Sequence, residues 1–341
     1  MSKVILHIGT HKTATTTIQN AFHANRDLLA AHGVDYPALG HTTGHHGLAM
    51  RWLPLPEVFA LPEGPQEAWT RLTAAPVPGR TLFLSSEEFS RGMPEPSVNL
   101  GELRGLLSRF DRVEVVCTLR DQRSYLQSIY LEVSKKQAPP PWPNFLAASL
   151  ASGFGAGLFL DFAALDDHLR TAFAPDEITY IDYAGTSRAP GDLLGRFIDL
   201  LGLPLTPADL APGADGQLSN PSPDPLAAWI ASQIAAPWPA PRSLVDEARS
   251  ALRAEFGEGR PTTIYTRAEE MRLLARFASA NARFSEAIAA RQPGFALTAP
   301  PPQPTIYRED VGPGPWIRMG RKLHGALKAA ETAQDRQEAV A

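Results

Sequence analysis

The chain reads Ile5-Leu6-His7-Ile8-Gly9-Thr10-His11-Lys12-Thr13-Ala14-Thr15-Thr16-Thr17-Ile18-Gln19, an apolar strand that runs through a Lys- and Thr-rich turn into a helix. The first N–H groups of a helix have no partner inside it, and the aligned peptide dipoles add about half a positive charge there. A phosphate or sulfate group fits such a site. Lys12 adds a point charge and the threonines add hydroxyl donors, which is more than helix capping needs. The stretch predicts an oxyanion-binding loop; the alternative is an ordinary strand–helix turn with a threonine cap.

The composition favours an α/β protein whose anion binding is local. The 341 residues are 44% hydrophobic, which is enough for one large core or two smaller ones. The formal net charge of −4 does not indicate a nucleic-acid partner. The single cysteine, Cys117, lies in an apolar run, so we expect a buried strand residue and neither a disulfide framework nor a cysteine-based zinc site.

The sequence carries no predicted targeting or membrane-spanning segment. The first strand begins near Lys3, which leaves no room for a secretory signal before it. No stretch approaches the ~20 apolar residues that span a bilayer. We therefore expect a soluble, cytoplasmic protein without a transmembrane segment, with peripheral membrane contact left open.

Strands alternate with helices along the first two hundred residues or so. The hydrophobic pattern predicts strands at 3–8, 81–85, 112–119 and 177–182, and helices at 15–32, 100–110, 122–136, 161–173 and 192–201. This alternation predicts a mainly parallel central sheet flanked by helices in three layers. Three additional helices are expected at 226–235, 243–256 and 267–290.

The predicted domain organisation is one α/β domain over residues 1–291 with helical additions. An insertion at 36–78, rich in Pro, Gly and His, is expected to lie over the active-site face. A Pro-rich linker follows at 292–315, and a basic helical tail at 316–341. The helix expected over 316–330 can dock on the body, on a second subunit or on a membrane surface.

The residue order in the loop differs from that of the triphosphate-binding P-loop. That motif reads GxxxxGK[ST], whereas here Ala14 and Thr15 stand in place of the second Gly and the Lys, and the lysine lies three positions earlier. The loop resembles the phosphosulfate loop of sulfotransferases that use PAPS (3′-phosphoadenosine 5′-phosphosulfate), which share a P-loop-like fold and commonly read Lys-Thr/Ser-Gly-Thr-Thr. Ala14 departs from that pattern, and a methyl group is unfavourable there if φ is positive or a ligand must approach closely.

The resemblance implies a donor site for PAPS, with PAP as product and no metal. It assigns this site to His11, Lys12, Thr13, Ala14, Thr15, Thr16, Thr17, Arg120 and Ser128. Arg120 follows the third predicted strand and Ser128 lies eight residues later on the next helix; in sulfotransferases an Arg and a Ser at this separation hold the 3′-phosphate. A guanidinium can grip phosphate with two hydrogen bonds. The alternative is that Arg120 pairs with Asp121 and that Ser128 is a surface residue.

Sulfuryl transfer needs a base for the acceptor hydroxyl and positive charge at the leaving oxygen. Lys12 suits the leaving oxygen. Glu87 and Glu88 follow the second long strand, at the carboxyl edge where open α/β sheets place their sites, and we slightly favour Glu87 as the base. Because the cytosolic branch of the family uses a histidine, His46 or its neighbour His45 is the alternative base.

Some residues carry secondary hypotheses. A zinc site at His41, His45 and His46 is disfavoured, because these three histidines do not form a clear and complete set of zinc ligands. The segments Ser219–Ser222 and Asn281–Phe284 are similar to segments of bacterial relatives, which makes Arg283 a candidate contact for the 3′-phosphate. An exposed helix arginine is the alternative.

The leading hypothesis is a bacterial, Golgi-type sulfotransferase-domain protein that sulfates a hydroxyl on a carbohydrate or glycoconjugate. A nucleotide-dependent kinase with a degenerate P-loop is the first alternative, although the expected Mg²⁺-binding strand-end Asp is replaced by Ser-Ser-Glu-Glu and Arg. A non-catalytic nucleotide-binding relative is the second. The acceptor pocket is expected at 36–78, at 138–143 and after Leu203.

Overall fold

The computed structural model describes residues 1–92, 97–137, 140–187, 189, 191–212, 224–299 and 303–338. Its centre is a parallel five-stranded sheet with the strand order β2-β3-β1-β4-β7. A short antiparallel pair, β5-β6, and a short parallel pair, β8-β9, complete the described strands. The strands are β1 (Lys3–His7), β2 (Val34–Asp35), β3 (Thr81–Ser85), β4 (Arg112–Leu119), β5 (Phe154–Gly155), β6 (Leu158–Phe159), β7 (Ile178–Asp182), β8 (Thr262–Thr263) and β9 (Ile306–Tyr307).

The central strands are almost continuously apolar because helices cover the sheet on both faces. On β4 every residue from Val113 to Leu119 is buried, including Cys117 as predicted. Glu114 is the charged residue among these buried positions. It forms an ion pair with Lys3 on the neighbouring strand β1 (Oε2 to Nζ, 2.6 Å), which compensates its burial.

The helices are α1 (Thr15–Ala24), α2 (Arg26–Ala31), α3 (His46–Ala49), α4 (Gly64–Thr73), α5 (Leu100–Leu106), α6 (Gln122–Lys136), α7 (Trp142–Ser152), α8 (Phe162–Leu169), α9 (Tyr183–Thr186), α10 (Asp192–Leu200), α11 (Pro225–Ala235), α12 (Arg242–Phe256), α13 (Arg267–Ala289) and α14 (Pro313–Glu338). Within the described residues, none of them is long and apolar enough to cross a bilayer.

Alternate residues of the strands pack into two separate cores, one on each face of the sheet. Leu6 and Val115 face a core that includes residues of α4, α5 and α8. Ile5 and Val116 face the other core, with α1 and α10. The sheet is therefore the middle of three layers, and the predicted fold class, a P-loop-like α/β fold with a parallel central sheet flanked by helices, is confirmed.

Two local expectations differ from the structure. The single helix predicted over 15–32 is interrupted at Asn25, whose side-chain amide donates to the Ala211 carbonyl (2.9 Å) and accepts from the Ala211 N–H (2.8 Å). Helix α7 was not predicted, because the Pro-rich break before it hides a start in which Pro143 occupies the first turn.

Contacts group the chain into two compact units. The first comprises Met1–Leu126, Leu146–Asn220 and Leu274–Pro300 and contains the central sheet. The second comprises Gln127–Phe145, Pro221–Leu273 and Pro301–Ala341, and part of it is a core formed by α11, α12 and the beginning of α14. The units interleave along the sequence, and the predicted division of the chain at 291 and 315 stays a prediction.

Candidate active site

The loop between β1 and α1 has three residues with positive φ. These are Gly9 (25°), Lys12 (65°) and Ala14 (58°), and Ala14 caps α1 in the left-handed region without a side-chain hydrogen bond. A Cβ atom at Gly9 would lie 2.6 Å from Cγ2 of Thr15, so the loop has no room for a side chain there. Left-handed residues within a turn are typical of the concave N–H arrangements that bind anions.

The end of β4 holds this loop in place. Thr10 donates to the Thr118 carbonyl through its N–H (2.7 Å) and its hydroxyl (3.0 Å). Arg120 donates to the Lys12 carbonyl (2.9 Å), and its guanidinium lies 5.5 Å from the ring centre of Tyr183 at the end of β7. The loop and Arg120 are therefore parts of one connected structure at the carboxyl edge of the sheet.

The threonines of the loop differ in what they offer a ligand. The Thr13 hydroxyl donates to the Thr10 carbonyl (2.5 Å), so its proton is already used and its N–H is the remaining donor. Thr15 is buried, whereas Thr16 is exposed at the start of the helix. The hydroxyl of Thr16 is therefore accessible to solvent at the N-terminus of α1.

Glu88 is contacted by basic side chains on both of its oxygens. His11 Nε2 lies 3.2 Å from Oε1, and Arg91 contacts Oε2. Burial alone would raise the pKa of this carboxyl, but the hydrogen bonds and charges of His11 and Arg91 lower it to about 2. Glu88 is thus a fixed carboxylate, with 10% of its side chain exposed, that orients His11 beside Lys12.

Glu87 has a different environment, although it is the next residue. Gln19 on α1 donates to its Oε2 (3.0 Å), and Nδ1 of His46 lies 3.8 Å from the same oxygen. Burial opposes ionisation of Glu87, but the nearby His46 and His11 lower its pKa overall. Both contacts are to Oε2 of Glu87.

The histidines divide into core residues and a site residue. His45 accepts from the Ser85 N–H at Nδ1 (2.8 Å), and Nε2 lies 2.8 Å from the Pro37 carbonyl, so the proton is on Nε2. Burial lowers the pKa of His45 and of His7 to about 4, and both are neutral core residues. His46 packs against Phe59 and lies 3.0 Å from the Ser86 hydroxyl, beside Glu87.

The remaining predicted residues are more scattered. Ser128 lies on the part of α6 that belongs to the second unit, whereas Arg120 belongs to the first, so a shared phosphate contact stays a prediction. Arg283 is an exposed residue of α13 and donates to the Ser279 hydroxyl (2.6 Å). Its neighbour Asn281 forms two amide hydrogen bonds with Gln122 at the start of α6 (2.8 and 3.0 Å). The segment Ser219–Ser222 lies outside the described residues.

Sequence reasoning missed three residues of this cluster. Gln19 is a buried polar residue one helical turn after Thr15, which is the pattern that a helix face directed at a polar site produces. Ser86 caps the turn that contains both glutamates by accepting from the Glu88 N–H. Arg91 follows Glu88 by three residues, a spacing at which ion pairs form within one turn.

No protein-family model matches the chain, and no curated protein matches it. Two solved structures are similar over most of their length. One is a sulfotransferase from Alicyclobacillus acidocaldarius (12% identity, TM-score 0.40, 80% of this chain and 95% of that chain). The other is the sulfotransferase domain of the Synechococcus PCC 7002 olefin synthase (16% identity, TM-score 0.29, 81% and 94%). At these scores the likeness by itself determines no function.

Proposed function

We propose that the chain is a sulfotransferase that moves the sulfuryl group of PAPS to a hydroxyl acceptor. The observation that carries the proposal is the loop between β1 and α1. It combines Lys12, the N-terminus of α1 and left-handed residues at 12 and 14, and the carboxylates that follow β3 are linked to it through Gln19 and His11. An oxyanion site next to a buried carboxylate is what transfer of an anionic group to a hydroxyl requires.

The loop has the donor groups that a phosphosulfate needs. Lys12, the hydroxyl of Thr16 and the N–H groups of the first turn would hold the 5′-phosphosulfate. Arg120 already supports the loop through the Lys12 carbonyl and would contribute its charge to the 3′-phosphate, with Ser128 as its predicted companion. PAPS supplies the activated sulfuryl group when it is bound.

Glu87 is the residue we propose as the general base. It takes the proton of the acceptor hydroxyl as the acceptor oxygen forms a bond to sulfur, while the bond from sulfur to the 5′-phosphate oxygen breaks and PAP leaves. Lys12 stabilises the charge that develops on the leaving oxygen. Glu88 suits this role less well because His11 and Arg91 contact both of its oxygens.

His46 remains the alternative base in this proposal. Its Nδ1 lies 3.0 Å from the Ser86 hydroxyl and 3.8 Å from Glu87 Oε2, so it also fits a role in orienting Glu87. The acceptor class, a carbohydrate or glycoconjugate, rests on the resemblance of the segment 158–203 to bacterial, Golgi-type sulfotransferase-domain proteins, many of which use a Glu after the strand that corresponds to β3.

Formation of PAP from PAPS tests the proposal. The full chain is incubated with PAPS and a panel of mono- and oligosaccharides, with and without Mg²⁺, and PAP is measured. We expect acceptor-dependent PAP that needs no Mg²⁺ and that Lys12→Ala reduces about 100-fold. Lys135→Ala, which removes an exposed lysine paired with Glu132, is the matched control and should have no effect. ADP formed from ATP and Mg²⁺, without PAP from PAPS, would favour a kinase and contradict the proposal.

A further inference from the structure

Among the described side chains of helix α14, the buried ones lie at its beginning. Met319 is buried in the core that α11 and α12 form, and Trp316 packs against Trp229 with ring centres 5.9 Å apart. From residue 320 to residue 329, every residue of the helix is exposed. More than two helical turns therefore extend along the surface with their side chains in solvent.

The apolar stripe of α14 continues beyond the point where packing ends. Met319, Leu323 and Leu327 follow one another at four-residue spacing and lie on one face of the helix. Met319 is 2% exposed, whereas Leu323 is 41% and Leu327 is 63% exposed. An amphipathic face that is half covered by its own unit and half open indicates a second binding surface.

The charge of α14 is one-sided over residues 313–330, before the acidic residues Glu331, Asp335 and Glu338 of its last part. Residues 313–330 contain no Asp or Glu and carry the cations Arg318, Arg321, Lys322 and Lys328. A second copy of the chain that packed α14 against α14 would bring like charges together, which opposes that form of dimer. An anionic surface, by contrast, attracts the same residues.

An exposed tryptophan lies toward the same end of the unit. Arg318 contacts Glu255 near the end of α12, and Lys322 contacts Glu247 nearer its beginning, so α12 and α14 run antiparallel. Leu327 consequently lies toward the start of α12. Trp238, which is 73% exposed, is in the loop just before that start. Tryptophan is enriched where proteins meet the boundary between lipid and water.

We propose that this end of the second unit binds an anionic lipid surface. Leu323, Leu327 and Trp238 would enter the boundary between headgroups and acyl chains, and Arg321 and Lys328 would contact anionic headgroups. The inference is independent of the sulfotransferase proposal, since it uses only residues of the second unit.

Vesicle flotation of the full chain tests this surface. We expect the chain to float with phosphatidylcholine vesicles that contain about 30% phosphatidylglycerol and not with pure phosphatidylcholine, and expect higher salt to weaken binding. The double substitution Leu323→Gln with Leu327→Gln should lower the bound fraction about tenfold or more. Met271→Gln, at an α13 position that is 66% exposed, is the matched control and should bind like the wild type.

Circular dichroism and the thermal midpoint establish that the double variant folds like the wild type. A second variant, Arg321→Glu with Lys328→Glu, changes charge and leaves both leucines; it should abolish the preference for anionic vesicles. Failure of the wild type to float, or equal binding to neutral and anionic vesicles, would overturn the proposal. So would a concentration-dependent dimer in light scattering that the leucine variant loses, because a second copy would then cover this face.

Discussion

The two sides of the β1–α1 loop carry opposite charge and are built differently. On the β3 side lie Glu87, which accepts from Gln19 of α1, and Glu88, which contacts His11 of the loop. On the β4 side Arg120 supports the loop backbone and faces Tyr183. If the proposed function is correct, the anionic donor binds on the cationic side and the acceptor proton moves to a carboxylate on the other side.

The difference also separates the two consecutive glutamates. Glu88 is fixed by ion pairs, and Glu87 is contacted on one oxygen by a neutral amide and a histidine. If the account is correct, one carboxylate acts in catalysis and the other mainly in stability. The following substitutions test that division, beginning with the largest expected effect.

Glu87→Gln should have the largest effect because it removes the proposed base while it keeps the side-chain shape. We expect kcat for PAP formation to fall about 1,000-fold with little change in the unfolding free energy. Rates measured at saturating PAPS, together with urea unfolding, check this. Glu88→Gln is the paired comparison and should lose far less activity; the reverse ranking would exchange the two roles.

Glu88→Gln should instead destabilise the fold by about 2 kcal/mol at pH 7, because His11 and Arg91 lose their charged partner. The pKa of Glu88 is lowered to about 2 in the folded chain, so its contribution is complete above its unfolded pKa of about 4.5. That contribution disappears as the pH falls from about 4.5 toward 2. Urea unfolding of wild type and variant at pH 7 and pH 3 should show a difference that shrinks in acid.

Glu63→Gln provides the control for this measurement. Glu63 also pairs with an arginine, Arg71, but their side chains are 30% and 55% exposed, so the pair contributes little. We expect no measurable change in the unfolding free energy at either pH. If Glu63→Gln lowered the unfolding free energy as much as Glu88→Gln, burial of the Glu88 contacts would not explain their contribution to stability.

Ala14→Gly should have the smallest effect and should increase stability. Ala14 is left-handed at φ 58°, a conformation that costs an alanine about 1 kcal/mol relative to glycine. Ala156, at φ 48° in the turn between β5 and β6, gives a matched substitution outside the loop. Both variants should gain up to about 1 kcal/mol, but only Ala14→Gly should change PAP affinity. Equal PAP affinity in both variants would exclude the Ala14 conformation as a determinant of donor binding.

The local parts of the site could be predicted from the sequence. The strand, the loop and the helix that follow one another from Ile5 to Gln19 are encoded in one continuous segment, and the glutamates lie directly after a buried strand. The loop pattern has a glycine where this chain has Ala14, and the positive φ of Ala14 is the conformation that favours glycine there. The alternation of strands and helices was likewise enough to predict the parallel sheet and the helical layers on its two faces.

The long-range contacts could not be predicted in this way. His11 and Glu88 are separated by 77 residues, and Arg120 and Lys12 by 108, so no periodicity in the sequence connects them. The interruption at Asn25 depends on a partner 186 residues away. These features follow from packing of the whole unit, which places side chains together only after the sheet has formed.

The central claim is that the loop binds a 3′-phosphorylated nucleotide, and calorimetric titration with PAP tests it most directly. We predict binding that does not need Mg²⁺ and that weakens about tenfold or more in both Lys12→Ala and Arg120→Ala. Adenosine 5′-phosphate, which lacks the 3′-phosphate, should lose less affinity in Arg120→Ala than PAP does, because Arg120 then acts only through its support of the Lys12 carbonyl. Binding of ATP that requires Mg²⁺, with no binding of PAP, would contradict the account.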